Sequence, residues 1–241
     1  FLDKVAQRGN DATAHHLVSI CPVNLCPADE PSAIALPYRP MPDPAGGGDG
    51  VTIRVLDTGL FDGYADIPVT SAAMGDARNT FVTVPFGNVV GADAGTVSGG
   101  TEQLIRLYAG HGTFIAGLIG CVAPGASVFV ERSFELAGTR WEYELGPALQ
   151  RALQAKPDII SLSAGGTTHR GRPYLGLRDF FTALAADDHT LLVAAAGNEG
   201  VPQVLSPAVE AHGERRRPSI VAVEALRADL KDVACFSNYG P

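Results

Sequence analysis

Short runs rich in valine and isoleucine alternate along this chain with segments in which apolar residues recur every three or four positions. Five of the runs have the length and composition of strands buried on both faces of a sheet. They are residues 51–57, 127–132, 158–163, 191–197 and 219–225. Amphipathic helical patterns lie between them, at 145–155 and 177–186. This alternation predicts an α/β fold with a mostly parallel central sheet.

Residues 1–50 have a different texture, because they are rich in proline, weakly periodic, and end in PDPAGGGDG. We expect them to form an N-terminal arm and linker that is partly extended. One α/β domain is expected to occupy residues 51–241. Within it, residues 62–107 show little periodicity and are expected to form a loop-rich insertion.

Composition narrows the class of protein. The net charge of −8, from 18 basic and 26 acidic residues, disfavours nucleic acid as the main partner, because phosphate binding needs a basic face. The basic run at 215–217 is expected to be a solvated loop. No apolar run approaches the roughly 20 residues of a membrane helix, so no membrane partner is expected. Four cysteines are too few for a disulfide scaffold, although Cys21 and Cys26 could pair in an exported protein. Since the chain starts at Phe1 rather than at methionine, the compartment, secreted or cytoplasmic, stays open.

Two residues that can carry chemistry lie where predicted elements begin or end. The first strand ends in LDTG, which places Asp57 at the carboxyl edge of the sheet, where ligand sites gather. Alone, such an aspartate is usually a turn or capping residue. The stretch GHGT places His111 between two glycines at the start of a small-residue helix. Its accessible imidazole suits a proton acceptor, and the alternative is a histidine that only caps the helix.

A third candidate follows the predicted strand at 191–197, where AAAGNEG presents Asn198. A carboxamide held at a strand end can donate a hydrogen bond to a developing oxyanion, an effect worth roughly 3 to 4 kcal/mol. Alone, an asparagine after a glycine is an ordinary turn former. A phosphate-loop interpretation of GHGTFIAG is disfavoured, because its glycines are spaced GxGxxxxG and the preceding EQLIRLYA has a helical pattern.

Taken together, these motifs resemble those of the subtilisin-like serine proteases, the subtilase family. VLDTG, GHGT followed by IAG, and AAAGNEG occur here in the order that this family shows. The segments VAPGASVFVER, DIISLSAGG, SPA and VACFSNYG also look like the family's, so the resemblance spans residues 51–241. It implies a three-layer fold with helices on both faces of the sheet, and hydrolysis of peptide bonds through an acyl-enzyme.

By this resemblance, His111 would be the general base, Asp57 would orient it, and Asn198 would be an oxyanion donor. Backbone groups of two segments would pair with an extended peptide or protein substrate. These segments comprise Ser161, Leu162, Ser163, Ala164 and Gly165, and Ala195, Ala196 and Gly197. For the glycines after the strand at 158–163, simple strand-to-loop geometry is an equal alternative.

The chain departs from the family pattern in two places. The family's nucleophile lies in a Gly-Thr-Ser motif downstream of the segment that resembles FSNYG, and no serine of the 241 residues lies in such a motif. We expect that serine beyond Pro241 or on a separate C-terminal fragment. The alternative is a non-catalytic peptide-binding or scaffolding module. The helix after His111 also lacks the calcium-loop insertion of many relatives, so no cofactor is expected and no calcium at that position.

Overall fold

The computed structural model describes residues 13–20, 47–60, 82–83, 96–99, 102–105, 110–134, 138–212, 217–227 and 231–240. Most of the predicted insertion lies outside these ranges, and so do Cys21 and Cys26, whose pairing the sequence left open. Cys121 and Cys235 are free thiols. Within the described ranges, no helix is long and apolar enough to span a bilayer.

The described chain contains ten strands and three α-helices. The strands are β1 (Leu17–Ser19), β2 (Thr52–Asp57), β3 (Val82–Thr83), β4 (Thr96–Gly99), β5 (Glu102–Ile105), β6 (Ser127–Arg132), β7 (Thr139–Trp141), β8 (Ile159–Leu162), β9 (Leu191–Ala195) and β10 (Ile220–Val223). The helices are α1 (His111–Val122), α2 (Glu142–Gln154) and α3 (Arg178–Ala186). Short 3₁₀ turns occur at His169–Gly171, Leu175–Leu177 and Ala208–Ala211. Each of the five predicted sheet strands is present, most of them shortened by one or two residues at the ends.

Six strands form one parallel sheet in the order β10-β9-β8-β2-β6-β3. Strand β2 lies inside the sheet, because Ile53 pairs with Val128 of β6 on one side and with Ile159 of β8 on the other. The carboxyl ends of β2, β8 and β9 therefore meet at one edge. The predicted α/β class with a mostly parallel sheet is confirmed.

Apolar clusters cover both faces of the sheet and make the fold three-layered. On one face, Leu149 of α2 and Phe180 of α3 pack in the same cluster as Ile160 and Leu192. On the other face, Ala116 of α1 packs in a cluster with Val55 and Val128. Ile53 and Val55 of β2 belong to the second cluster and Leu56 belongs to the first, so this strand contributes apolar side chains to both faces of the sheet.

Two small antiparallel pairs lie outside the main sheet, β1 with β7 and β4 with β5. The first shows that part of the predicted arm is extended and packs on the domain. The second contradicts the helical pattern expected for EQLIRLYA, since residues 102–105 form β5. A pattern of eight residues is too short to form a helix on its own, and pairing with β4 decides the conformation of residues 102–105.

The predicted solvated loop at 215–217 is also corrected at its last residue. Arg217 lies with its guanidinium 4.8 Å from the centre of the Phe181 ring. Its Nε is 3.5 Å from the Glu210 carboxylate, which is 2% exposed. Arg217 therefore joins α3 to the 3₁₀ turn at Ala208–Ala211, because a guanidinium stacks on an aromatic face while pairing with a carboxylate.

Candidate active site

Asp57 ends β2 and is completely buried, with a relative exposure of 0%. Its backbone carbonyl accepts hydrogen bonds from the amides of Ser133 (2.7 Å) and Phe134 (3.1 Å), which fix the strand end. The carboxylate accepts a hydrogen bond of 2.7 Å from the Thr58 amide and one of 3.3 Å from the Thr58 hydroxyl. A buried carboxylate needs such donors to offset its lost hydration.

His111 is the first residue of α1 and completes this set of donors. Its Nδ1 lies 2.8 Å from Oδ1 and 2.9 Å from Oδ2 of Asp57. An ionised carboxylate only accepts hydrogen bonds, so Nδ1 carries the proton and Nε2 carries the lone pair. The His111 side chain is 28% exposed, whereas that of Asp57 is 0% exposed. The pair therefore presents a basic nitrogen at the surface, supported by a charge held inside the protein.

The glycines around His111 allow the two motifs to approach closely. Gly110 precedes the helix at φ 83°, and Gly59 turns the chain away from Asp57 at φ 85°, conformations that favour glycine. The amide of Gly112 donates to the Thr58 hydroxyl at 3.0 Å. This bond satisfies one of the donors that the first turn of a helix leaves without a partner in the helix. It also ties α1 to the Asp57 turn.

Replacing Gly112 with alanine is expected to disturb this approach. The added Cβ would lie 2.4 Å from the Gly59 carbonyl oxygen and 2.9 Å from the Gly59 nitrogen, both backbone atoms. We expect a loss of about 1–3 kcal/mol in the free energy of unfolding, typical of overpacking, to be seen in urea denaturation.

Gly117→Ala is the matched control for that substitution. Gly117 lies in the same helix and has no atom within 4 Å of an added Cβ. Both substitutions raise helix propensity by a similar amount, so the control is expected to stabilise the protein by about 0.5–1 kcal/mol. A Gly112→Ala variant as stable as the control would contradict the close approach.

Asn198 follows β9, two strands away from β2 in the sheet order, and is half-buried. The preceding Gly197 has φ 126°. An added Cβ there would lie against the Asn238 Nδ2, which donates to the Glu199 carboxylate. Glycine is therefore required at 197 by both conformation and space.

Asn238 shapes the Asn198 loop, a role that the sequence did not indicate. It is completely buried, and its Oδ1 accepts hydrogen bonds from the amides of Glu199 (2.8 Å) and Val201 (3.4 Å). The backbone amide of Asn238 donates to the Gly197 carbonyl at 2.9 Å. The only signal in the sequence was its place within VACFSNYG, which had no role assigned.

The residues expected to line a substrate cleft continue β8 and β9 toward the same edge of the sheet. The backbones of these residues have different partners. Ser161 pairs with Val55 and Val193 inside the sheet, whereas Gly165 lies beyond the strand and pairs with Ser19. Leu162 and Ala164 are 1% exposed, with their side chains in the core. The remaining positions are Ser163, which follows β8, Ala195, which ends β9, and Ala196 and Gly197, which follow it.

Among the described residues, no group of three or more His, Cys, Asp or Glu side chains is arranged to hold a metal ion.

Comparisons with known proteins extend this picture. A family model described as the subtilase family matches residues 48–241. The major intracellular serine protease of Bacillus subtilis (strain 168) is 28% identical over 163 residues, which are 64% of this chain and 44% of that protein. The intracellular serine protease of Paenibacillus polymyxa is 28% identical over 162 residues, or 64% of this chain and 43% of that protein. The chain therefore matches less than half the length of these curated relatives.

A solved structure has the same fold. The structure of a lanthipeptide protease superposes with a TM-score of 0.55 at 23% identity and covers 80% of this chain and 54% of that one.

Proposed function

The chain belongs to the subtilase family, and from this membership we propose that it supplies most of the active site of a serine endopeptidase that acts through an acyl-enzyme. The observation that carries the proposal is the contact of His111 Nδ1 with both oxygens of the buried Asp57 carboxylate. The proposed substrate is a peptide or protein bound in an extended conformation.

The geometry of the pair accounts for each proton in the proposed reaction. His111 Nε2 takes the proton of the attacking hydroxyl while that oxygen bonds to the substrate carbonyl carbon. Asp57 stabilises the imidazolium that results and keeps Nδ1 protonated. The imidazolium then gives its proton to the leaving amine, and a water molecule repeats the sequence to release the acyl group. Asn198 donates to the oxyanion formed in both halves.

We propose that the hydroxyl belongs to a Gly-Thr-Ser serine that follows the FSNYG segment in the gene product or lies on a separate C-terminal fragment. Three backbone hydrogen bonds support this position by joining residues 236–239 to the Asn198 loop. They are Gly200 to Phe236 (2.8 Å), Asn238 to Gly197 (2.9 Å) and Tyr239 to Val201 (3.2 Å). A chain that continues from Gly240 therefore starts beside the proposed oxyanion donor.

The test compares the 241-residue chain with a gene product extended through such a motif. The 241-residue chain is expected to leave a fluorogenic peptide library uncleaved, because it lacks the nucleophile. The extended protein is expected to cleave peptides, to be labelled by a fluorophosphonate, and to lose activity on His111→Ala.

Two results would contradict this proposal. Fluorophosphonate-sensitive hydrolysis by the 241-residue chain would place the nucleophile among its own serines. An extended protein that lacks the Gly-Thr-Ser serine and binds peptides without cleaving them would instead favour a peptide-binding or scaffolding module.

A further inference from the structure

The residues 16–20, here called the arm strand, lie between two other segments and bond to both. Their strand β1 pairs antiparallel with β7, Val18 being opposite Arg140. On the other side, Ser19 and Gly165 exchange two hydrogen bonds of 2.9 Å each. The amide of Ile20 also donates to the Gly138 carbonyl at 2.9 Å. The arm strand is thus the central strand of a three-stranded antiparallel arrangement, seated in what we call the peptide groove, between β7 and Gly165–Gly166.

The peptide groove lies at the proposed active site. Gly165 follows β8, and β8 lies between β2, which ends in Asp57, and β9, which leads to Asn198. The backbone of Gly165 is also within the segment expected to pair with substrate. An extended peptide that binds there by strand addition would use the same amide and carbonyl that Ser19 uses.

Alternate side chains of the arm strand point into the protein. His16, Val18 and Ile20 are 8%, 0% and 6% exposed, whereas Leu17 is 45% exposed. Val18 and Ile20 belong to the main apolar cluster, together with Phe134 and others. A strand of period two accounts for this alternation. The groove therefore has three inward positions, of which the second and third are apolar.

The first inward position is polar and is matched to an imidazole. His16 Nδ1 lies 3.1 Å from Oε1 of Glu142, a carboxylate that is 3% exposed. The amide of His169 donates to His16 Nε2 at 3.2 Å, so the proton of this ring is on Nδ1 and points to Glu142. The His16 amide donates to the same carboxylate oxygen at 3.2 Å.

The surroundings of Glu142 favour a side-chain donor at this position. The other oxygen of its carboxylate accepts a hydrogen bond of 3.3 Å from the Gly176 amide. Tyr174 packs against the His16 ring, with 5.4 Å between ring centres. Burial, and secondarily the charge of Glu142, raise the pKa of Tyr174, so its phenol stays protonated. His15 Nδ1 also lies 3.7 Å from Oε1 of Glu142 in the occupied groove. A peptide without a side-chain donor at the first inward position would leave the buried carboxylate only backbone donors, and it would lose one hydrogen bond to a charged group, which is costly.

We propose that the peptide groove selects extended peptides with histidine two residues before a β-branched aliphatic residue, and that the arm strand is its intramolecular occupant. Glu142 is the residue that sets this preference. The inference rests on the proposed function, because it takes the groove to be the substrate cleft of the peptidase. Peptide binding can nevertheless be measured without hydrolysis. The groove preference and the proposed peptidase function can therefore fail separately.

The test uses the 241-residue chain and the fluorescent peptide His-Leu-Val-Ser-Ile, which repeats residues 16–20. Val18→Asp is expected to release the arm strand, because an unpaired carboxylate is not tolerated in an apolar core. Leu17→Asp is the matched control, because Leu17 is exposed. Fluorescence anisotropy is expected to show peptide binding to the Val18→Asp variant and none to the unmodified chain or the control.

Selectivity is measured with a second peptide in which leucine replaces histidine. Its affinity for the Val18→Asp variant is expected to be at least about tenfold weaker, as for loss of a hydrogen bond to a charged group. Adding Glu142→Gln to that variant is expected to remove most of the difference. Equal affinities for the two peptides would overturn the preference, and equal binding to the unmodified chain would overturn the occupancy.

Ser19→Pro gives a second route if Val18→Asp does not fold, because proline removes the amide that bonds Gly165. Faster hydrogen exchange of the Gly165 amide reports that the arm strand has left, and the same two peptides are then compared. If the histidine peptide binds but a serine-bearing gene product cleaves nothing, the groove stands and the peptidase proposal fails. If the serine-bearing gene product cleaves peptides with no preference for histidine, the peptidase proposal stands and the histidine preference of the groove fails.

Discussion

Replacing Asp57 with asparagine in the serine-bearing protein is expected to lower kcat about 10⁴-fold, the loss typical of this change in serine-protease triads. The Thr58 amide and hydroxyl both donate to Oδ1, so they hold the carbonyl oxygen of the new amide at that position. Its NH₂ group then occupies the place of Oδ2, 2.9 Å from His111 Nδ1. Nδ1 then loses Oδ2 as an acceptor and keeps only the neutral carbonyl oxygen at the Oδ1 position, 2.8 Å away, which already accepts from both Thr58 donors. The proton is therefore expected to move to Nε2, so that Nδ1 accepts from the new NH₂ group. The imidazole can then no longer take the proton of the nucleophile.

Two measurements separate this tautomer change from unfolding. In the 241-residue chain, ¹⁵N chemical shifts of His111 are expected to show protonation of Nδ1 before the substitution and of Nε2 after it. The matched control is Asp158→Asn, since Asp158 lies at the opposite end of the sheet, where it accepts from the Thr52 amide at 2.7 Å. The control is expected to retain kcat. An Asp57→Asn protein with undiminished kcat would remove Asp57 from the mechanism.

The sheet could be predicted because its strands carry their own signal. Strands buried on both faces are short, nearly continuous apolar runs, and β6 begins and ends where its run predicts, at Ser127 and Arg132. Strands β9 and β10 each end two residues before the predicted end, although Ala196 after β9 is buried and Glu224 after β10 is exposed. Local composition indicates a strand, and it does not record where pairing stops.

Asp57, His111 and Asn198 could be named as candidates from the sequence because each lies at the start or end of a predicted element and within two residues of a glycine. The contacts that hold the surrounding loops and strands in place could not be predicted from the sequence. His16 and Glu142 are 126 positions apart, and Glu199 and Asn238 are 39 apart. Side chains that meet only after the sheet has formed leave no periodic pattern in the sequence. In the sequence of an amphipathic helix, a glutamate that will be buried cannot be told from one that faces solvent.

The arm strand in the proposed peptide groove and the part-exposed His111 side chain belong to one arrangement. Strand β8 carries the groove residue Gly165 just beyond its end, beside the strand that ends in Asp57. A peptide strand that replaces the arm strand would therefore run along the edge at which the proposed catalytic groups gather. This explains why the arm, which shows little periodicity in the sequence, is ordered through residues 16–20 by pairing rather than by its own propensity.

Replacing Asn198 with alanine is expected to lower kcat of the serine-bearing protein about 10²- to 10³-fold with little change in KM, because an oxyanion donor acts mainly in the transition state. Asn238→Ala separates this role from that of the loop. It would leave the part-buried amide of Glu199 without its 2.8 Å partner, so the free energy of unfolding is expected to fall by about 1–3 kcal/mol. Steady-state kinetics and urea denaturation of both variants are compared. If Asn198→Ala lowered stability as Asn238→Ala does and left kcat unchanged, Asn198 would be a turn residue and not an oxyanion donor.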